Sequence, residues 1–369
     1  MSVQYDVLTV GAGLSGAVAA RRFAESGKKI LIIDNKEHPA GHCFDFKNEH
    51  GISVHKYGPH IFHTKEKLVW DYVNRFSEFE YYQHRVLSFA EGNYYPFPIN
   101  CDTINRIFNL DLSVNEVGEF LREEAASSKY DRPPKNFRDA VVSQVGDRLY
   151  ELFFRNYTRK QWERDPRELA ADVAKRIPVR ENRDGRYFSD QYQGIPKKGY
   201  TQLVRNILDH ENIKLELMTD YFDVKDKIKA DITVYTGKLD RYFDYRFGEL
   251  EYRSLKLDFK TFDMERYQPA AVVNYPNDYD WTRIAEFKYF LNETSDKTTV
   301  LFEYPSKEGD PYYVVLSEDN IAMRQKYWTL AEAEENEQNV FFLGRLAEYR
   351  YLNMDQVVLN SLKRISIAL

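Results

Sequence analysis

Tyr5-Asp-Val-Leu-Thr-Val-Gly11-Ala-Gly13-Leu-Ser-Gly16, followed by Lys29-Ile-Leu-Ile-Ile33 and then Asp34-Asn35, decides the fold. The first apolar run reads as a strand, the glycines as the turn leaving it, the next stretch as a helix, and the second apolar run as another strand. Gly11 permits the tight turn, Gly13 lets the backbone approach a pyrophosphate, and Gly16 lets the helix pack closely on the strand. The helix N-terminus at Leu14 and Ser15 presents free N–H groups and a positive dipole end to phosphate. Asp34, eighteen residues after Gly16 and beside Asn35, is spaced to accept hydrogen bonds from a ribose hydroxyl. Strand, glycines, helix, strand and acid in that order point to an α/β, Rossmann-like domain for an adenine dinucleotide.

Composition sets the bounds around that motif. The 369 residues are enough for two or three domains. Aromatic residues make up 15%, with 28 Tyr and 24 Phe. Most of these belong to cores, and some tyrosines are expected to supply flat contact area and a hydroxyl to a sugar or base. Two cysteines, Cys43 and Cys101, cannot form a disulfide framework, which fits a reducing, cytoplasmic setting. The opening apolar run is a short strand, not a signal peptide, and no stretch approaches a membrane span. A net charge of −6 argues against a nucleic-acid surface, so an anionic ligand needs local arginines.

The order of patterns predicts a nucleotide domain assembled from separated segments: residues 1–76, 205–248 and 316–369. Residues 77–100 read as extended and aromatic, ending in Tyr94-Tyr-Pro-Phe-Pro98. Residues 101–184 read as helical, with a loop at Arg132-Pro-Pro-Lys135. Residues 250–315 alternate polar and apolar positions, so 77–100, 185–204 and 249–315 are expected to build an antiparallel-sheet domain. An acidic helix from Arg324 to Glu337, the strand Val340-Phe-Phe-Leu343 and a last helix close the chain. No second Gly-x-Gly-x-x-Gly occurs, which suggests one tightly held cofactor.

Further motifs carry a resemblance. Pro39-Ala-Gly41-His-Cys after Asp34 resembles the second FAD-contacting turn of glutathione-reductase-like and amine-oxidase-like flavoproteins. His55-x-Tyr-Gly58-Pro-His60-Ile61-Phe-His63-Thr, Asn156-Tyr-Thr-Arg-Lys-Gln-Trp162, Lys175-Arg-Ile-Pro-Val-Arg180, Arg186-Tyr-Phe188, Leu250-Glu-Tyr-Arg-Ser-Leu255, Asn274-Tyr275, Thr282-Arg-Ile284, Pro311-Tyr-Tyr313, Gly344-Arg-Leu-Ala347 and Tyr351-x-x-Met354 resemble the flavin-dependent UDP-galactopyranose mutases of bacteria over essentially the whole chain. The resemblance implies a glutathione-reductase-like FAD domain with inserted helical and sheet domains. It also implies interconversion of UDP-galactopyranose and UDP-galactofuranose through a covalent flavin N5–sugar adduct, without net redox change. Reduced FAD, an external reductant such as NAD(P)H, and a homodimer come with it.

Carried over residue by residue, the resemblance puts Arg176 on a mobile lid of roughly residues 167–180, closing over the diphosphate. Arg283 would hold the diphosphate from the sheet, Arg253 would lie nearer the cofactor, and Arg345 would stabilise negative charge on the reduced flavin. Guanidinium forks suit phosphate oxygens bidentately. Tyr157 and Trp162 would form uridine and lid contacts, with Phe153 and Phe154 lining the uracil slot. Asn274, Tyr187, Tyr313 and Tyr351 would hydrogen-bond the diphosphate or frame the sugar. Gly41, His42, Ile61, Tyr351 and Met354 join the cofactor set. His60 and His63 have metal-like spacing without partners to complete a site. They would line the isoalloxazine, tuning polarity or moving a proton, or else bond the backbone after Gly58-Pro59.

The chain departs from the family pattern at several points. Ala40 and His42 stand where Gly and Asn are usual, and Glu163 where Gly follows the lid tryptophan. Lys238 and Val314 replace prolines, and Asn353 a frequent Asp. These leave the sugar open, UDP-N-acetylgalactosamine included. A flavin oxidoreductase or amine-oxidase-like enzyme, and a non-catalytic UDP-sugar-binding flavoprotein, are the rival readings.

Overall fold

The structure, a computed structural model, describes residues 4–176 and 179–368, apart from the side chains of Asp172, Lys175 and Arg176. Tyr5–Val10 and Ile30–Ile33 are parallel neighbours, with Val7 opposite Ile30, and the helix Leu14–Glu25 connects them. Ala17, Val18, Ala19, Ala20 and Phe23 of that helix are fully buried, and the small ones let it lie close to the sheet. Gly16 marks the tightest approach: a Cβ there would stand 1.9 Å from the Gly11 carbonyl oxygen. Gly11 adopts φ +102°, and its Cβ would meet Thr236 Oγ1 at 2.0 Å.

Distant segments complete the sheet. Its order is Ile213–Glu216, Ile30–Ile33, Tyr5–Val10, Ala230–Tyr235 and Val340–Phe342, all parallel. Ile30–Ile33 is buried at every position, as a strand covered on both faces must be. The C-terminal helix Met354–Ala368 lies against Leu14–Glu25, and Ser361 Oγ meets Ser15 Oγ at 3.1 Å.

A second sheet of seven strands runs Tyr313–Val314, Tyr252–Phe262, Thr298–Ser306, Arg283–Glu286, Val272–Asn274, Val86–Ala90 and Asn93–Phe97. Five of its six neighbour pairs are antiparallel, as the alternation predicts. Val272–Asn274 and Val86–Ala90 are parallel instead, because the hairpin of residues 86–97 comes from an earlier segment and joins by a long crossover.

After the hairpin of residues 86–97 come the helices Cys101–Phe108, Val114–Ser127 and Phe137–Tyr150, then a π-helical turn Glu151–Arg155 and the helix Asn156–Trp162. Asn100 caps the first, its side chain accepting from Thr103 N at 3.1 Å, and Ser113 with Glu116 forms a capping box on the second. The acidic helix begins at Glu318, six residues before the predicted Arg324. Ser317 accepts from Asn320 N, and Glu318 and Asp319 complement the dipole, so capping chemistry outweighs the polar surface that obscured this turn.

Candidate active site

A cavity of about 420 Å³ follows the C-terminal ends of the parallel strands, where ligands of such sheets bind. Gly11, Gly13, Leu14, Ser15, Asp34, Asn35, Gly41, His42, His60, Arg345 and Met354 of the predicted set line it. The helix Leu14–Glu25 starts at Gly13 with no capping side chain and no acid in its first turn, so its N–H groups stay available to a pyrophosphate. Asp34 Oδ2 accepts from Ala12 N at 2.7 Å and Oδ1 from Lys36 N at 2.9 Å. One lone pair on each oxygen is left for a ribose hydroxyl. These features fit an adenine dinucleotide. Gly16 and Ile61 lie behind the wall, Gly16 as a packing residue and Ile61 buried in the core.

His42, His55, His60 and His84 are neutral at physiological pH. Burial lowers His42 and His60 to about 3 and His55 to about 4. His60 Nδ1 lies 2.8 Å from the Gly58 carbonyl, to which it donates, leaving Nε2 as an acceptor at the cavity wall. His60 therefore bonds the backbone after Gly58 and lines the cavity at once. His63 is held off that wall: its Nδ1 sits 2.6 Å from Asp190 Oδ2 and its ring stacks on Phe188 at 3.6 Å.

A cluster of arginine and tyrosine side chains stands beside the cavity and meets it at Arg345. Sheet register sets Asn274 opposite Arg283 and Arg283 opposite Glu303, so the three share one face. Arg283 Nε donates to Glu303 Oε2 at 2.5 Å, and Glu303 is 1% exposed with no partner for Oε1 among the described residues. Tyr157, Tyr187 and Tyr313 surround Arg283. Burial raises all three phenols, Tyr313 to about 12, while the guanidinium acts in the opposite sense. Tyr313 stacks on Tyr351 at 5.8 Å, and Arg345 stands over both rings. Arg345 donates to the carbonyls of Tyr312 and Leu352 at 3.0 and 2.8 Å, a fork that fixes it between the cavity and these tyrosines.

Trp162 ends the helix Asn156–Trp162 and borders a small gap with Leu169, Val173 and Tyr351. Phe153 and Phe154 are each 3% exposed and turn into the core against Tyr95 and Phe97, so neither ring is open to a ligand here. Arg253 is fully buried and is not among the residues that line the dinucleotide cavity. Its Nε donates to Gln161 O at 3.2 Å, and Nη2 lies 3.0 Å from Glu163. The Arg176 side chain lies outside the described residues.

Two departures from the family pattern fall at left-handed positions, Ala40 at φ +74° and Glu163 at φ +48°. Both are sites where the usual glycine carries no steric cost. Glu163 offsets its strain by bridging Arg253 and Lys307, and Arg164 pairs with Glu251 beside it at 2.7 Å. The sequence reading missed Glu303 and His84. Glu303 is an acid on the inward face of an apolar strand, which was a usable signal. His84, lowered to about 3 by burial and packed between Tyr187 and Phe188, had none beyond aromatic neighbours.

A dinucleotide cavity beside a cluster of arginine and tyrosine side chains fits a cofactor-dependent protein that handles a second, anionic ligand. A family profile described as UDP-galactopyranose mutase matches residues 152–351, and one described as NAD(P)-binding Rossmann-like domain matches residues 9–76. The chain is 40% identical to a probable UDP-galactopyranose mutase of Klebsiella pneumoniae, over 97% of this chain and 93% of that one. It is also 40% identical to the dTDP-fucopyranose mutase of Escherichia coli, over 95% and 94%. The crystal structure of a reduced UDP-galactopyranose mutase superposes with a TM-score of 0.80 at 17% identity, covering 99% of this chain and 95% of that one. The chain belongs to the UDP-galactopyranose mutase family.

Proposed function

We propose that this protein is an isomerase, a flavin-dependent mutase that interconverts UDP-galactopyranose and UDP-galactofuranose with no net oxidation. The observation that carries the reading is Arg345, which lines the dinucleotide cavity and stands over Tyr313 and Tyr351 of the adjoining arginine–tyrosine cluster. A nucleotide-sugar held by that cluster would thus meet a cofactor held by the cavity at one guanidinium. FAD is the cofactor, gripped by Gly11, Gly13, Ser15, Asp34, Gly41 and Met354. When bound and reduced, it supplies a nucleophilic nitrogen for the anomeric carbon.

The chain's own residues do the rest. Arg283, oriented by Glu303, holds the diphosphate as a charge-assisted fork. Tyr157, Tyr187 and Tyr313 keep their protons and act as hydroxyl donors, with Tyr351 stacked on Tyr313 and Asn274 beside Arg283. Neutral His60 offers Nε2 to hold or move a proton. Trp162 and the lid bearing Arg176 exclude water. Retaining the departed nucleotide makes its return effectively unimolecular, an advantage of about 7–11 kcal/mol at ideal alignment.

Turnover is expected with dithionite-reduced enzyme and much less with oxidised enzyme, read by separating pyranose from furanose products. Equal rates in both states would overturn the reading. The equal identity to a dTDP-fucopyranose mutase favours one second reading, a mutase for a thymidine-linked 6-deoxyhexose. A substrate panel holding UDP-galactopyranose, UDP-N-acetylgalactosamine and dTDP-fucopyranose decides between them.

We further propose a cytoplasmic homodimer reduced by NAD(P)H. Among the described residues no helix is long and apolar enough to cross a membrane, and both cysteines are free and buried. The proposed domains are the FAD-binding segments 1–76, 205–248 and 316–369, the helical domain 101–184, and the substrate sheet of 77–100, 185–204 and 249–315.

A further inference from the structure

Residues 307–312 join the strands Thr298–Ser306 and Tyr313–Val314 and pass along the rim of the dinucleotide cavity. Their side chains reach the opposite rim twice. Asp310 Oδ2 lies 2.7 Å from Lys36 Nζ, and both residues line the cavity. The Tyr312 ring stacks on His42 with centroids 4.9 Å apart and planes at 22°. Lys36 follows directly on Asp34 and Asn35, so the contact closes the side where a ribose would lie. Its ammonium also stands over the Tyr57 ring at 5.2 Å, which limits its freedom to swing away.

The base of this loop is fixed independently. Gly309 has φ +114°, and a Cβ there would stand 2.6 Å from Ser254 Oγ. Ser306 Oγ accepts from Glu308 N at 3.0 Å and donates to its carbonyl at 2.9 Å. Lys307 pairs with Glu163 at 3.3 Å, and Arg345 Nη1 donates to Tyr312 O at 3.0 Å. The segment is therefore held at both ends, and its middle reaches across the opening through one ion pair and one ring stack.

We propose that residues 307–312 form a strap that retains the cofactor, with Lys36–Asp310 as its clasp and Tyr312–His42 as its second hold. This rests on the FAD reading above. A dinucleotide lying under the strap leaves only when both holds part. The ion pair is half exposed, so its contribution is that of a surface pair, and salt screens it.

The test uses the FAD-loaded full chain and follows flavin fluorescence after dilution into a trap for free FAD. Lys36→Met and Asp310→Asn should each speed FAD release about fivefold, equivalent to about 1 kcal/mol. The double variant should release no faster than either single one. The exchanged pair Lys36→Asp with Asp310→Lys should recover slow release, and 0.5 M NaCl should narrow the gap between parent and variants. Release within twofold of the parent in both single variants, with FAD loading normal, would overturn the strap alone. Faster release in Lys36→Met without it in Asp310→Asn would also overturn it, showing that Lys36 touches the dinucleotide directly. A parent chain that takes up no FAD would overturn the cofactor reading and the strap together.

Discussion

Replacing Arg283 by methionine separates what that arginine does for the fold from what it does for a ligand. Glu303 is 1% exposed, its Oε2 lies 2.5 Å from Arg283 Nε, and its Oε1 has no other partner among the described residues. Removing the guanidinium leaves an uncompensated buried carboxylate, a change that costs about 3–5 kcal/mol. The Arg283 side chain is 25% exposed, which places this site at the lower end, about 3 kcal/mol. Changing Glu303 to glutamine as well removes the stranded charge, so Arg283→Met/Glu303→Gln should lose only about 1 kcal/mol. Turnover behaves differently. Both variants lack the fork that holds the diphosphate, and kcat/KM should fall by about 30- to 1,000-fold in each, the equivalent of about 2–4 kcal/mol. Chemical unfolding of the FAD-loaded variants reads the first quantity, and separation of pyranose from furanose products reads the second. A double variant no more stable than Arg283→Met would refute the stranded-carboxylate argument. Near-parental turnover in either variant would refute the placement of Arg283 on the diphosphate.

Three further outcomes follow from the geometry. Gly16→Ala puts a methyl group 1.9 Å from the Gly11 carbonyl, so the variant should fail to retain FAD, read as the flavin-to-protein absorbance ratio after purification. Glu163→Gly restores the glycine usual in the family and removes the bridge to Arg253 and Lys307, so cleavage within residues 163–180 by a broad-specificity protease should accelerate several-fold. Stability should decline as pH falls from 6.5 to 5. His42, His60 and His84 fold with values near 3 and His55 near 4, so in that window the unfolded chain binds protons that the folded chain does not. Each contributes a slope of up to about 1.4 kcal/mol per pH unit, fully retained above the unfolded value and lost below it; a flat unfolding midpoint across the window would contradict burial of neutral rings.

Local chemistry made part of the molecule legible from sequence. Gly11, Gly13, Gly16 and Asp34 could be read because each meets a steric or hydrogen-bonding demand a few residues away, and the structure places them around one cavity. The segment 205–248 could be read as returning to the nucleotide domain, and its strands Ile213–Glu216 and Ala230–Tyr235 do pair into that sheet. Glu303 could not be tied to Arg283 in the same way: twenty residues separate them, and only the pairing of two strands sets them opposite each other. Arg253 illustrates the limit from the other side. Its presence in a motif suggested the cofactor, yet its direction depends on where the helix Asn156–Trp162 ends, and there it meets Gln161 and Glu163. The register of the sheet and the docking of that helix are long-range outcomes that no local spacing encodes.

The sheet beneath the cofactor has an implication for biosynthesis. Its middle strand is made well before its edge strand Val340–Phe342, and Gly344 closes on Ser15, where an added Cβ would come within 3.1 Å of that serine's own. A nascent chain that has not yet reached Gly344 has no finished seat for the flavin. Pigmentation should therefore lag synthesis of the first strands, and capture of the prosthetic group reports that this sheet has closed, with slow non-local strand pairing setting its pace.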